Sequence, residues 1–401
     1  MLKRYDNHHV YQLEPKTQQQ LIAINILESK ADQDAYTFVD SAQIIGQSVH
    51  IIVAPKYLPQ FKNMLRTANF TYQLLSENAQ TELEDLELED TPQRAFDYNW
   101  KKYHTLDGTY KWLEMLQMQY PQFITLYTAG YSYENRKILA VKLSKGAVGP
   151  RRSIFLEAGM HAREWITPAV VTYILQQLLT NTDRSINVMS ERYDWYIVPH
   201  ANPDGYVYTY TVDRLWRKTR KPHISGCFGA DPNRNWDYHW GFIGSNNNPC
   251  SNIYAGSRPF SERETYTLAN FISTFKKSML LYVSIHSYGQ YLLYPYGHTN
   301  SSAPNAGELK HIMDAGISGV KQRYGTVYTG GNIYDTIYPT SGTSVDWAYG
   351  VAEIKYAYAF ELRPSSKNYW TGFRLPANQI IPTSEETLDA LIEMIKTIET
   401  I

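Results

Sequence analysis

The sequence predicts an α/β protein in two parts: a compact α+β module over residues 1–80 and a larger domain over residues 97–401, built on a sheet with helices on its faces. Three observations point there. Near the N-terminus short apolar runs alternate with amphipathic stretches. An acidic segment containing a proline follows at residues 81–96. Beyond it, short apolar strands alternate with longer helical periods. A length of 401 residues suits one small and one large domain.

In the first part the runs are His9–Leu13, Lys16–Ser29, Ser48–Ala54, Pro59–Ala68 and Phe70–Leu75, read as β-α-β-α-β. Pro59 suits a helix start, because its fixed φ and missing N–H cost nothing in a first turn. Residues Thr81–Asp90 form an acidic run with leucines, read as a solvated helical linker. The connector then reaches Arg94, a candidate cut site for a trypsin-like protease. In the second part Ile154-Phe155-Leu156, Trp195–Val198 and Leu280–Ile285 are short and largely apolar, as strands buried on both faces are. In Ile354–Glu361 the large residues recur at every second position, which puts Glu361 opposite Phe360 at the strand's end.

Composition narrows the function classes. Hydrophobic residues make up 43% and charged residues 19%, as in ordinary soluble domains, which argues against disorder. The 38 basic residues balance 39 acidic ones, so no global field favours a nucleic-acid or membrane partner. No stretch of about 18 uncharged apolar residues offers a membrane span. The 34 tyrosines favour a protein with a groove, since the ring packs while the hydroxyl bonds at a wet surface. Cys227 and Cys250 lie in one loop-like stretch and read as a short-loop disulfide, with two free thiols as the alternative. The triplets Asn69-Phe70-Thr71 and Asn300-Ser301-Ser302 are glycosylation acceptors that agree with secretion. The first residues lack an apolar leader, so a signal peptide is expected to be missing from this sequence.

The chemistry starts after the apolar strand ending near Ala158. His161 and Glu164, three apart on a tight turn before the helix predicted over Ile166–Leu179, can face one ion, and zinc accepts both ligand types. His286 follows the run ending at Ile285, and groups at strand C-terminal ends converge on one crevice in open α/β sheets. A lone histidine there is more often hydrogen-bonded structure than a ligand. The histidines at 8, 9, 104, 223 and 311 lie in polar stretches and read as solvated. Glu361 is a carboxylate where the rim of a site belongs, either a general base or the partner of Arg363. Arg217 and Arg234 lie in Gly- and Asn-rich connections. Each is a surface residue or, with Asn233, part of a clamp for a carboxylate.

Several segments together resemble the pancreatic-type zinc metallocarboxypeptidases, the carboxypeptidase A/B family. They are Gly159-Met160-His161-Ala162-Arg163-Glu164-Trp165, Asn202-Pro203-Asp204-Gly205-Tyr206 and Trp216-Arg217-Lys218-Thr219-Arg220. Asn233-Arg234-Asn235-Trp236, Ser284-Ile285-His286-Ser287-Tyr288 and Phe360-Glu361-Leu362-Arg363 complete the set. The resemblance runs in order through residues 97–401, and the preceding chain resembles that family's propeptide. It implies a mixed eight-stranded twisted sheet flanked by helices, preceded by a small α+β ferredoxin-like propeptide domain. A connecting helix with the activation segment would span residues 81–96.

The same resemblance implies one zinc ion held by His161, Glu164 and His286. Glu361 would be the general base and acid, and Arg217 would polarise the scissile carbonyl. Asn233, Arg234 and Tyr338 would bind the substrate's terminal carboxylate, Arg163 and Tyr288 would contact residues upstream, and Val345 would floor the pocket for the leaving side chain. Valine offers only apolar surface there, which implies release of aromatic and aliphatic C-terminal residues. The expected protein is a secreted, monomeric, disulfide-bonded zymogen with a digestive role, acting on peptide and protein C-termini after activation near Arg94 by a trypsin-like protease. Two other classes compete. A non-catalytic peptide binder should lack a ligand or the base, and none is missing. A serine hydrolase should show a Gly-x-Ser-x-Gly elbow, and none occurs.

Overall fold

The computed structural model describes residues 2–29, 35–83, 88–89, 97–146, 149–366 and 372–401. The N-terminal part runs β1 (His9–Leu13), α1 (Gln18–Ser29), β2 (Tyr36–Phe38), β3 (Val49–Val53), α2 (Leu58–Thr67) and β4 (Tyr72–Ser76). Its strands pair antiparallel in the order β2-β3-β1-β4. This is the expected small α+β unit with one strand more than the run pattern predicted. β2 is a three-residue edge strand, too short to show a period of two. Its sheet and helices close over a core of Tyr11, Ile24, Ile51 and Phe61. Pro59 sits in the first turn of α2, as its ring geometry favours.

The connector differs from expectation. A 3-10 turn covers Ala79–Glu82, and β5 (Leu88–Glu89) pairs in parallel with β6 (Tyr103–His104) where a helix was expected. Leucine alternates with an acid through Leu86-Glu87-Leu88-Glu89, the period of a strand, a signal masked by the density of charge. Most of the proposed linker, including Arg94, lies outside the described residues.

The larger part opens with α3 (Leu106–Gln119), β7 (Ile124–Tyr131), β8 (Lys137–Leu143), β9 (Ser153–Glu157), α4 (Ile166–Thr180), α5 (Arg184–Arg192) and β10 (Asp194–Val198). It continues through α6 (Pro203–Thr211), α7 (Arg263–Phe275), β11 (Met279–Gly289), β12 (Tyr291–Tyr294), α8 (Ala306–Tyr324), β13 (Thr329–Asn332) and α9 (Ile333–Thr336). The chain ends with α10 (Ser344–Gly350), β14 (Tyr356–Ser365) and α11 (Ile380–Thr400). Eight strands form one mixed sheet in the order β13-β12-β14-β11-β9-β10-β8-β7. Its middle, β14-β11-β9-β10, is parallel, and the three apolar runs become β9, β10 and β11. One face packs Leu156, Val171, Trp195 and Ile395, the other Phe155, Trp236, Ile272 and Trp347. Both faces are covered, which is why these strands read as continuous apolar runs. Among the described residues no helix is long and apolar enough to cross a membrane.

Two expectations need correction. Glu361 is not at a strand end: β14 continues to Ser365, because its ladder with β11 carries on through His286↔Glu361 and Ser287↔Leu362. The apolar signal stops where polar site residues begin, while backbone pairing does not. His104 is buried, stacked on Tyr98 with ring centroids 3.8 Å apart and its Nε2 2.6 Å from the Asn99 carbonyl. The polar residues around it supply that partner.

Candidate metal centre and substrate cleft

After β9 the chain turns sharply at Gly159, whose φ is +65°. A Cβ there would lie 2.7 Å from the Pro199 carbonyl, so only glycine lets the turn pack against the next crossover. The Gly159 N–H donates to Thr167 Oγ1 at 3.0 Å, and that hydroxyl donates to the Glu164 carbonyl at 3.0 Å. This lacing aims His161 and Glu164 the same way. His161 Nδ1 lies 2.8 Å from Glu164 Oε1, and His286 Nδ1 lies 3.1 Å from His161 Nδ1 and 3.2 Å from Glu164 Oε2. All three residues are buried, and their ligand atoms lie within 4.8 Å of one another.

The chemistry of this donor set fits zinc. His161 Nε2 faces Asp231 Oδ1 at 3.1 Å, and His286 Nε2 faces Ser284 Oγ at 2.9 Å. The Asp231 carboxylate can only accept, so it fixes the His161 proton on Nε2 and leaves the Nδ1 lone pair pointing at the centre. Burial works against ionised Glu164, yet His161 and His286 together hold its carboxyl well below the usual range. Two imidazole nitrogens and an ionised carboxylate therefore converge on one point, with the Ser287 N–H donating to Glu164 Oε2 at 3.2 Å from the side.

Asp231 was not foreseen. It is fully buried and spans the site, taking Arg217 Nε at 3.2 Å and Nη2 at 2.8 Å on its other oxygen. Burial pushes its carboxyl up, but Arg217, His161 and Arg234 overcome this and hold it well below the ordinary value. The one local signal was Asp-Pro-Asn, in which Asp231 caps the 3-10 turn Pro232–Arg234 by accepting from the Asn233 N–H at 2.8 Å.

Glu361 stands beside His286 on the adjacent parallel strand, on the same face of the ladder. Its alternative partner is engaged elsewhere: Arg363 Nε donates to Glu386 Oε1 at 2.9 Å. Burial pushes the Glu361 carboxyl up to about 8; His286 and Arg217 pull it down while Glu164 adds to the rise. The Asn202-Pro203-Asp204-Gly205-Tyr206 motif proves structural. Asn202 caps α6 through the Gly205 N–H at 3.0 Å, and its amide donates to the Lys218 carbonyl at 3.0 Å, tying α6 to the segment that carries Arg217.

The remaining site residues predicted from sequence border the same cleft, a space of about 410 Å³. Asn233 accepts the Ser344 N–H at 3.0 Å on its carbonyl oxygen, which leaves its NH₂ as the available group. Arg234 is held by the carbonyls of Gly244 and Asn233 at 2.8 Å each, and its guanidinium centre lies 5.9 Å from the Tyr338 ring. Arg163 stacks 3.9 Å over the Phe373 ring, against which Tyr288 packs edge-on. Val345 lines the cleft together with Leu293, Ile333, Ile337 and Ala359, all of which belong to or pack against one apolar cluster. The roof comes from the N-terminal domain: Val39, Asp40, Gln43, Ser48 and His50 line the cleft, and Arg163 Nη2 donates to the Val39 carbonyl at 2.7 Å. Cys227 and Cys250 are disulfide-bonded, their Cα atoms 5.2 Å apart.

A buried metal-ligand cluster at the carboxyl ends of parallel strands, with a carboxylate on the next strand and guanidinium groups around it, defines a metallohydrolase cleft. Residues 109–390 match the zinc carboxypeptidase family and residues 11–85 the carboxypeptidase activation peptide. The chain belongs to the zinc carboxypeptidase family, and with its activation peptide attached it is an exopeptidase zymogen that uses zinc. It is 47% identical to zinc carboxypeptidase A 1 of Drosophila melanogaster over 98% of this chain and 92% of that protein. Carboxypeptidase A2 of Rattus norvegicus is 36% identical over 94% and 90%. Among solved structures, carboxypeptidase A from Helicoverpa armigera superposes with a TM-score of 0.85 at 27% identity, covering 99% of this chain and 98% of that one. Thrombin activatable fibrinolysis inhibitor gives 0.88 at 29%, covering 99% and 100%.

Proposed function

We propose that the mature enzyme removes apolar aliphatic and aromatic residues from peptide C-termini, and that cleavage near Arg94 by a trypsin-like protease activates it. The catalytic part of this reading is supported by the in-register placement of Glu361 beside His286, and the apolar preference by Val345, Leu293, Ile333, Ile337 and Ala359 in the lining of the same cleft. His161, Glu164 and His286 would hold the zinc ion, which when bound would supply Lewis-acid chemistry. Glu361 takes the proton of the attacking water and delivers it to the leaving amine. Arg217, pinned by Asp231, donates to the oxyanion. Arg234 and the NH₂ of Asn233 bind the free carboxylate, and Tyr338 closes over the terminal residue. Arg163 and Tyr288 contact the residues upstream, and Val345 floors the apolar pocket.

The expected result is release of C-terminal Phe or Leu from blocked dipeptides, abolished by a chelator and restored by zinc. Faster release of Arg or Lys would refute the pocket assignment. The catalytic domain is assigned to residues 97–401, the propeptide to 1–80 and the activation segment to 81–96. Secretion is supported by the disulfide and by the exposed acceptors Asn69 and Asn300. Limited trypsin digestion is expected to raise activity on protein-sized substrates, and Arg94→Gln to block that rise. Equal activation of the variant would place the cut elsewhere.

A further inference from the structure

Away from the catalytic cleft, α1 of the propeptide inserts one carboxylate into the larger domain. Glu28, in the last turn of that helix, is buried, and its Oε1 accepts from Ser251 Oγ at 3.1 Å, from the Asn252 N–H at 3.0 Å and from Ser41 Oγ of its own domain at 2.6 Å. Its Oε2 has no hydrogen-bond partner among the described residues and is out of contact with solvent. Glu28 and Lys218 face one small cavity of about 70 Å³. Lys218 is itself buried, its ammonium tied to the Pro249 carbonyl at 2.5 Å. Burial pulls that ammonium down to about 7, and Glu28 is the leading charge that opposes this. The receiving loop follows directly on Cys250, so the disulfide to Cys227 braces it. Around Glu28, Asn248 Nδ2 donates to the Ser29 carbonyl at 3.2 Å and Asn252 Nδ2 to the Phe38 carbonyl at 2.7 Å.

We propose that Lys218, Ser251 and Asn252 form a carboxylate-binding exosite on the catalytic domain, whose ligand is Glu28 and which retains the activation peptide after the linker is cut. Burial pushes the Glu28 carboxyl up, and the hydrogen bonds from Ser41, the Asn252 N–H and Ser251 oppose this. Departure of the activation peptide must break the last two together, in a site closed to solvent, which slows dissociation. The exosite thereby separates two events, cleavage of the connector and exposure of the cleft. This rests on the zymogen reading and on activation by cleavage.

The test uses the full-length zymogen and its Glu28→Gln and Ser251→Ala variants. Trypsin cleavage is run to completion and quenched; departure of the N-terminal fragment is followed by gel filtration and the rise of peptidase activity by release of C-terminal Phe. The cut wild-type fragment is expected to stay and activity to rise slowly, while each variant releases its fragment and gains activity at least about ten-fold faster. The double variant should gain less than the product of the single effects, since both act on one contact. Ser251→Ala alone decides the matter if Glu28→Gln does not fold. Release at the wild-type rate from both variants, or immediate loss of the wild-type fragment, would overturn the exosite and leave the zymogen reading standing. Complete cleavage with no gain of activity in any chain would overturn both.

Discussion

Exchange of Glu361 for glutamine is expected to lower kcat by about 10² to 10⁴-fold, the range over which a positioned acid and base contributes. Zinc content and affinity for a substrate-like inhibitor should stay at the wild-type level, because the variant keeps the shape of the side chain and leaves the three ligands untouched. The pH profile offers a second readout. Glu361 works as a base only when ionised, so its titration should form the acid limb of kcat/KM. Burial pushes its carboxyl up to about 8, and a dication beside it favours the ionised form, so the limb should lie below 8 in the zinc enzyme. In the glutamine variant that limb should vanish. Wild-type turnover with the limb intact would remove Glu361 from the mechanism.

The second large effect concerns the metal. His286→Ala removes one of three ligands and is expected to yield protein with little bound zinc and with activity reduced by more than about 10³-fold, since a bound metal supplies several kcal/mol of charge stabilisation in such reactions. Metal analysis after dialysis and a dipeptide assay check this, with cooperative thermal unfolding as the control for an intact fold. Stoichiometric zinc together with normal turnover would show that the ion is held by other groups.

Legibility followed the physics of each signal. β9, β10 and β11 were readable because helices on both faces demand apolar side chains at every position. The segments proposed to carry the site stood out because they hold distinctive residue types in a fixed order, and the fold brings their side chains to one cleft. β2 was hidden, since three edge residues cannot display a period. Asp231 was hidden for a different reason. Its function arises from two contacts with residues 14 and 70 positions away, and no local pattern encodes such distances. The end of β14 was misplaced because hydropathy reports which side chains are apolar, whereas the ladder is made by backbone groups that every residue except proline can offer. The alternative partners left open for Glu361 and for the two cysteines could be decided only by tertiary placement, which gave Arg363 to Glu386 and joined Cys227 to Cys250.

The placement of Asp231 carries a consequence for how the proposed chemistry is powered. One of its oxygens steadies His161 and the other steadies Arg217, so neither partner can reorient without disturbing its counterpart. A peptide entering the cleft thus meets dipoles that are already aligned. The reorganisation that water would have to undergo around each reacting molecule has been completed once, during folding, and is not repeated at every turnover.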